Sequence, residues 1–315
     1  MRCLDFDSII GCELGTAIGD ALGLPYKGLC KRQQYRLYPN LNGHNFLFGR
    51  GMVSDDTEHT CMVAQSFIVS SGEASTFTID LAWRFRFWLL GLPGGISYAT
   101  LKAILKLWLG FKPEHSGIFS AGNGPAMRSP IIGVCYGNDS QKLRELVKAS
   151  TRLTHTDRKA EFGALAVAIA AYLSSQQSNV TPQKYYFTLQ NYINDVEFLK
   201  LIKQACDSVD CNIGTQPFAA QMGLGKGVSG YIYHTVPVVI HTWLRYQQNY
   251  SQAIEEIIRC GGDTDTTAAI LEGIIGASVG KSGIPTAWLK GLWEYPRIIK
   301  WVELLMIVII FHGFY

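Results

Sequence analysis

The sequence predicts an all-α fold, a compact assembly of many helices. Three observations carry this expectation. Apolar residues recur at helical spacing along most of the chain, alternating strand patterns are scarce, and Gly/Pro/Asn-rich joints separate the helical stretches. The 315 residues are 48% hydrophobic, 12% aromatic and 17% charged. That is enough apolar material for a sizeable core and the opposite of a disordered composition. No repeat period, low-complexity tract or long linker divides the chain, so one domain over residues 1–315 is expected.

The first helical stretch, residues 8–23, places Gly11, Gly15, Gly19 and Gly23 four apart, on one helical face. Glycine costs a helix up to about 1 kcal/mol per position, so such a stripe implies a second backbone packed close against it. Plain helix–helix packing suffices to explain it. Further helices are expected at 56–71, 77–92, 97–110, 142–155, 160–176, 196–209, 235–246, 251–260 and 266–280. Glycine-rich joints lie at 91–95, 120–130 and 223–230. The apolar segment 301–315 carries Glu303 and His312 and is shorter than the roughly 20 residues a membrane span needs. It is expected to be a buried terminal helix, with a membrane-surface or subunit contact as the alternative.

Composition excludes several classes. A net charge of +3 does not by itself imply a nucleic-acid partner, and none is expected. The eight cysteines have no CxxC spacing, and no histidine lies beside Cys206 and Cys211, so neither a zinc site nor a disulfide framework is indicated. The start, MRCLDFDSII, lacks the long apolar run of a secretory signal. Free thiols in a reducing cytoplasm are the expectation. The oligomeric state is left open.

Two acidic clusters concentrate the chemistry: Ser54-Asp55-Asp56-Thr57, and Gly261-Gly262-Asp263-Thr264-Asp265-Thr266, each directly before an apolar or amphipathic helix. Asp, Ser and Thr are good helix caps, and a carboxylate at a helix start is electrostatically favourable. A cap needs one such side chain, however, and adjacent anions repel, so a doubled carboxylate suggests a compensating cation. An all-oxygen ligand set suits Mg²⁺ or Mn²⁺ better than zinc. Residue chemistry alone leaves capping and cation binding both open. The glycine-rich stretch from Gly223 is not a Walker loop, because Lys226 is followed by Gly227 rather than Ser or Thr.

Five segments in order resemble the ADP-ribosylglycohydrolase family: GTAIGDALGLP (15–25), VSDDTEHT (53–60), GNGPAMRSPIIG (122–133), LTHTDRKAEFGALAVAIA (153–170) and GGDTDTTAAILEGIIGA (261–277). The resemblance implies an all-α fold with a dinuclear Mg²⁺ or Mn²⁺ centre at the bottom of a cleft. It implies metal ligation by Ser54, Asp55, Asp56, Asp263, Asp265 and Thr266, with Asp55, Asp56 and Asp265 in the catalytic centre. It also implies that the Gly122-Asn123-Gly124 turn approaches the substrate's phosphates and distal ribose. His155 would lie near the substrate, and Ser229 and Tyr231 are candidates for contacting the adenosine. The implied activity is hydrolysis of an ADP-ribosyl N- or O-glycosidic bond, as in EC 3.2.2-type glycosidases. The implied partner is an ADP-ribosylated protein or a small-molecule ADP-ribose conjugate.

One position departs from the pattern. Lys27 stands where characterised hydrolases of the family carry an acid/base glutamate. Three readings follow: another carboxylate such as Asp20, Glu58 or a metal-ligand Asp takes that role; Lys27 binds an extra anionic group of a different substrate; or the chain binds ADP-ribose or a nucleotide without hydrolysing it. A purely structural role, as in relatives that serve as lens crystallins, is disfavoured by the complete set of six ligand positions.

Overall fold

The computed structural model describes residues 5–293 apart from 42 and 178. In chain order the helices are α1 (Phe6–Gly23), α2 (Lys31–Leu37), α3 (Asp55–Ser70), α4 (Ala74–Leu90), α5 (Tyr98–Trp108), α6 (Gly124–Met127), α7 (Pro130–Tyr136) and α8 (Ser140–Arg152). They continue with α9 (Arg158–Gln176), α10 (Pro182–Gln190), α11 (Val196–Asp210), α12 (Thr215–Gln221), α13 (Ile232–Tyr246), α14 (Tyr250–Arg259), α15 (Thr264–Gly283) and α16 (Thr286–Gly291). Two short strands, β1 (Gly51–Met52) and β2 (Leu292–Trp293), pair in parallel with Gly51 opposite Leu292. The fold is all-α, as the helical spacing predicts. The expected terminal helix at 301–315 lies outside the described residues.

Capping explains where helix starts differ from expectation. The Glu73 carboxylate accepts from the Ser75 and Thr76 amides, so α4 begins at Ala74 rather than at 77. Asp139 likewise caps α8 through the amides of Gln141 and Lys142, and that helix begins at Ser140. The helices the spacing did not reveal, α2, α6, α7, α10, α12 and α16, run only four to nine residues. So few turns give apolar periodicity too few repeats to register.

The centre of the molecule is the antiparallel pair α1 and α15. Every residue of α1 from Ser8 to Gly23 except Ile10 is buried, and so is every residue of α15 from Thr264 to Ala277. Helices buried on all sides have no solvent face to carry polar residues. The glycine stripe faces α15 backbone to backbone. A Cβ at Gly11, Gly15, Gly19 or Gly23 would stand 2.2, 2.1, 2.2 and 2.4 Å from the carbonyl oxygens of Gly276, Glu272, Ala268 and Thr264. Ordinary contact begins near 3.4 Å, so any side chain there would force the helices apart. The alanine-rich α9 packs against α15, its residues from Gly163 to Ala171 all buried. The packing brings the C-terminal end of α1 and the N-terminal end of α15 to the same place, beside the start of α3.

Candidate functional site

At that junction five carboxylates converge: Asp20 from α1, Asp55 and Asp56 from the first turn of α3, and Asp263 and Asp265 at the start of α15. Asp20 anchors the group. Its Oδ2 accepts from the Ser54 amide at 2.7 Å, the Thr57 amide at 3.2 Å and the Thr57 hydroxyl at 2.6 Å, while its Oδ1 accepts from Ser54 Oγ at 2.8 Å. The carboxylate thus clamps the loop that starts α3. Ser54 Oγ also lies 3.3 Å from Asp56 Oδ2, which accepts from Thr266 Oγ1 at 3.2 Å. Both sequence clusters therefore meet in one pocket of oxygen atoms.

Helix N-termini favour anions, but five carboxylates in a dry site repel one another. Burial first, then the neighbouring Asp55 and Asp265 charges, push Asp56 well above the carboxylate range. Burial and the Asp20 charge raise Asp55, with Lys27 opposing. Burial also raises Asp265 against the opposing charge of Lys27, and it raises Asp20 against the hydrogen bonds from Thr57 and Ser54. Lys27 sits directly on the cluster. Its Nζ donates to Asp265 Oδ2 at 2.7 Å and lies 3.4 Å from Asp263 Oδ1. Burial pulls the Lys27 ammonium down, but the charges of Asp265 and Asp263 outweigh it and hold the proton on.

The residues present fit a hard cation. Single oxygens of Asp20, Asp56 and Asp265 lie within 4.8 Å of one another, a span compatible with oxygens around one ion at about 2.0–2.6 Å. Asp56 Oδ1 and Asp265 Oδ1 are buried and have no hydrogen-bond partner among the described residues. A buried carboxylate oxygen without a donor is costly unless something else meets it.

Above this floor opens a cavity of about 640 Å³, within the usual size range of small-molecule sites. Lys27, Asp55, Asp263 and Thr266 form its base, and Gly122, Asn123, Gly124 and His155 one wall. The Asn123 side-chain amide donates to Asp263 Oδ2 at 2.7 Å and to Thr235 Oγ1 at 3.1 Å, which couples this wall to the acidic floor. Its own amide donates to the Gly230 carbonyl at 2.9 Å. The loop from 227 to 230 is held in turn by Val228, which donates to Gly261 O and accepts from the Asp263 amide. Gly262 makes that approach possible: φ is +87° and a Cβ would stand 2.1 Å from Val228 O.

His155 is buried, with Nδ1 2.9 Å from Thr154 Oγ1 and its ring against Gly122 and Gly124. Burial, then the Arg128 charge, lower its pKa to about 3, so it is a neutral wall residue at pH 7. Ser229 lines the cavity, and its hydroxyl lies 2.8 Å from His234 Nδ1. Tyr231 is not among the lining residues. Its backbone bridges Gly122 and its hydroxyl accepts from Lys159 at 3.0 Å. Of the spare carboxylates, Glu58 accepts from the Trp88 indole N–H, and Asp20 is committed to its loop.

Sequence reasoning missed or underrated four contributors. Asp20 was a spare carboxylate but is the anchor of the site. Arg128, fully buried, donates to Ser150 Oγ and O, to Gly124 O and to Thr154 Oγ1, at 2.7–3.0 Å. It ties the Gly122–Gly124 turn to the His155 turn, and only its place in the GNGPAMRSP segment hinted at this. Tyr98 and Phe119 line the cavity at its exposed rim, 70% and 82% accessible; nothing local in the sequence marks them.

No helix among the described residues is long and apolar enough to cross a membrane. A sequence model of the ADP-ribosylglycohydrolase family matches residues 3–311. Among relatives, an uncharacterized protein of Archaeoglobus fulgidus is 30% identical over 89% of this chain and 90% of its own length. The ADP-ribosyl-[dinitrogen reductase] glycohydrolase of Rhodospirillum rubrum is 24% identical over 91% of this chain and 90% of its own. An ADP-ribosylhydrolase of Gallus gallus is 26% identical over 88% and 87%. A solved ADP-ribosylglycohydrolase-related protein complex superposes with a TM-score of 0.70 at 21% identity, covering 98% of this chain and 99% of that one. With the family profile running almost the full length and the acidic clusters assembled in one place, the chain belongs to the ADP-ribosylglycohydrolase family.

Proposed function

We propose that this chain is a divalent-metal-dependent hydrolase that cleaves an ADP-ribosyl N- or O-glycosidic bond, acting in the cytoplasm on an ADP-ribosylated protein or a small-molecule ADP-ribose conjugate. The observation that carries the reading is the floor of five carboxylates, four of them buried, beneath an open cavity in a chain of this family. The names of the relatives supply the bond: one is a glycohydrolase of ADP-ribosyl-dinitrogen reductase and another an ADP-ribosylhydrolase.

Ser54, Asp55, Asp56, Asp263, Asp265 and Thr266 would hold the metal, and an all-oxygen set favours Mg²⁺ or Mn²⁺. A bound ion would supply Lewis-acid polarisation and a template for hydroxyls or water. Glycoside cleavage builds positive charge on the sugar ring. Of the two carboxylates that line the cavity, Asp55 and Asp263, Asp263 is paired with Lys27, so Asp55 would stabilise that charge or accept a proton from water. Asp56 and Asp265 lie behind it and would act through the ion. The turn Gly122-Asn123-Gly124 leaves one wall free of bulky side chains, so a diphosphate would have room beside His155, with Ser229 on the adjoining loop that bonds to this turn. Lys27 offers a cation to an anionic group of the substrate.

The test is release of ADP-ribose from arginine-, serine- and nucleobase-linked substrates by folded protein with Mg²⁺ or Mn²⁺. Turnover that disappears with chelator and in Asp56→Asn is expected. Absence of turnover on the whole panel would sink the hydrolase reading. A second reading, a binder of ADP-ribose or a nucleotide, is favoured by one observation, the Lys27 ammonium on Asp265. Calorimetric binding of ADP-ribose without turnover would select it, and turnover restored in Lys27→Glu would strengthen it.

A further inference from the structure

The geometry points to Lys27 as a built-in cation of the acidic centre, its ammonium standing where a second divalent ion would bridge Asp263 and Asp265, so that the chain binds one metal ion rather than two. The inference rests on the metal reading above and narrows it.

Three observations support it. First, Lys27 Nζ lies 2.7 Å from Asp265 Oδ2 and 3.4 Å from Asp263 Oδ1, so it bridges the two carboxylates of the second cluster. An ion bridging the same pair would need those oxygen lone pairs and would have to displace the ammonium, because two cations in direct contact repel. Second, backbone bonds hold the main chain at Lys27 close to its partners. Lys27 follows a single 3₁₀ turn, Leu24–Tyr26, at the end of α1. The next residue, Gly28, donates its amide to the Gly262 carbonyl at 3.0 Å. The main chain beside Lys27 is therefore tied to the loop that leads into Asp263 and Asp265.

Third, what the ammonium leaves open has the size of one ion. Oxygens of Asp20, Asp56 and Asp265 cluster within 4.8 Å. Two residues of this group, Asp56 and Asp265, each carry a buried oxygen without a partner, Oδ1, whereas Lys27 contacts the other oxygen of Asp265, Oδ2. Asp265 is thus divided: Oδ2 serves the ammonium and Oδ1 is left for a metal.

The experiment counts ions rather than turnover. Metal-stripped full-length protein is equilibrated with Mn²⁺, and bound manganese per chain is measured by elemental analysis, with paramagnetic resonance at low temperature distinguishing an isolated ion from an exchange-coupled pair. Wild type is expected to hold one Mn²⁺ with the spectrum of an isolated ion. Lys27→Glu, which removes the ammonium and adds a carboxylate, is expected to hold two with a coupled spectrum. Two ions in the wild type would overturn the inference while leaving the metal reading intact, whereas none would remove both. One ion in a Lys27→Glu protein that melts cooperatively would equally overturn it. Lys27→Met, which deletes the charge without adding a ligand, gives an independent check: it is expected to take up a second ion at elevated Mn²⁺, and failure to do so while folded counts against the proposal. The wild-type count stands whether or not either variant folds.

Discussion

Replacing Gly19 with alanine tests whether the glycine stripe is what sets the metal site. A Cβ at that position would stand 2.2 Å from the Ala268 carbonyl oxygen and 2.5 Å from its carbon. Both are backbone atoms in the middle of α15 and cannot rotate aside. Restoring contact to 3.4 Å requires α1 and α15 to separate locally by about 1.2 Å. Overpacking of this kind costs about 1–3 kcal/mol, and alanine's better helix propensity returns up to about 1 kcal/mol. With that return in full, the expected net loss is about 0–2 kcal/mol of unfolding free energy, read from urea denaturation. The more telling effect is at the site. Asp20 is the next residue on α1, and Asp265 lies one helical turn before Ala268 on α15. Ligand distances to Mg²⁺ or Mn²⁺ tolerate only a few tenths of an ångström, so Mn²⁺ affinity is expected to fall at least about 10-fold. Gly11→Ala makes the same clash, 2.2 Å from Gly276 O, about 12 Å farther down the helix. It is expected to destabilise comparably while changing Mn²⁺ affinity by less than about 3-fold, on the same overpacking argument. A Gly19→Ala protein with wild-type stability and wild-type Mn²⁺ binding would refute the reasoning.

Two further outcomes follow from buried groups. Arg128→Met keeps the apolar stem but strands the Gly124 and Ser150 carbonyls and the Ser150 and Thr154 hydroxyls, which the guanidinium now meets. A loss of about 3–5 kcal/mol is expected by denaturation, with only partial rescue in Arg128→Lys because an ammonium cannot reproduce the planar fork; a loss under about 1 kcal/mol would contradict the bracing role. His241 is buried against Phe218, and burial followed by the Arg245 charge lowers its pKa to about 4 from 6.5. The unfolded chain therefore binds a proton below 6.5 that the folded chain refuses until about 4, and this contribution to stability is lost as pH falls through that window. Buried Glu13, which burial pushes up to about 8, acts in the opposite sense, favouring the folded state at low pH and losing that advantage between 4.5 and 8. The measurement is thus the difference in melting temperature between wild type and His241→Phe at each pH. The gap is expected to move in the variant's favour below pH 6.5, and a pH-independent gap would count against it.

The helices were legible wherever three or more turns supplied apolar periodicity, and the all-α class followed from their density. The shortest helices were not, because their boundaries come from caps and neighbours. The two acidic clusters could be located because doubled carboxylates at helix starts are unusual chemistry in a short span. The glycine stripe announced a close approach by another backbone but could not name it.

What the sequence by itself determined is therefore the local grammar: which stretches coil, where glycines clear a helix face, and where carboxylates crowd. Only the tertiary structure decided that the stripe faces α15. That packing brings Asp20 and Asp265 to one end, puts Asp20 beneath the Ser54–Thr57 loop, and leaves Glu58 with Trp88. It also decided what Lys27 touches. The chain places it 236 positions from Asp263 and 238 from Asp265, and no pattern along the sequence encodes a meeting across that distance. Side-chain periodicity is written by neighbours in the chain, whereas an ammonium finds its carboxylate through the packing of helices, which the sequence specifies only as a whole.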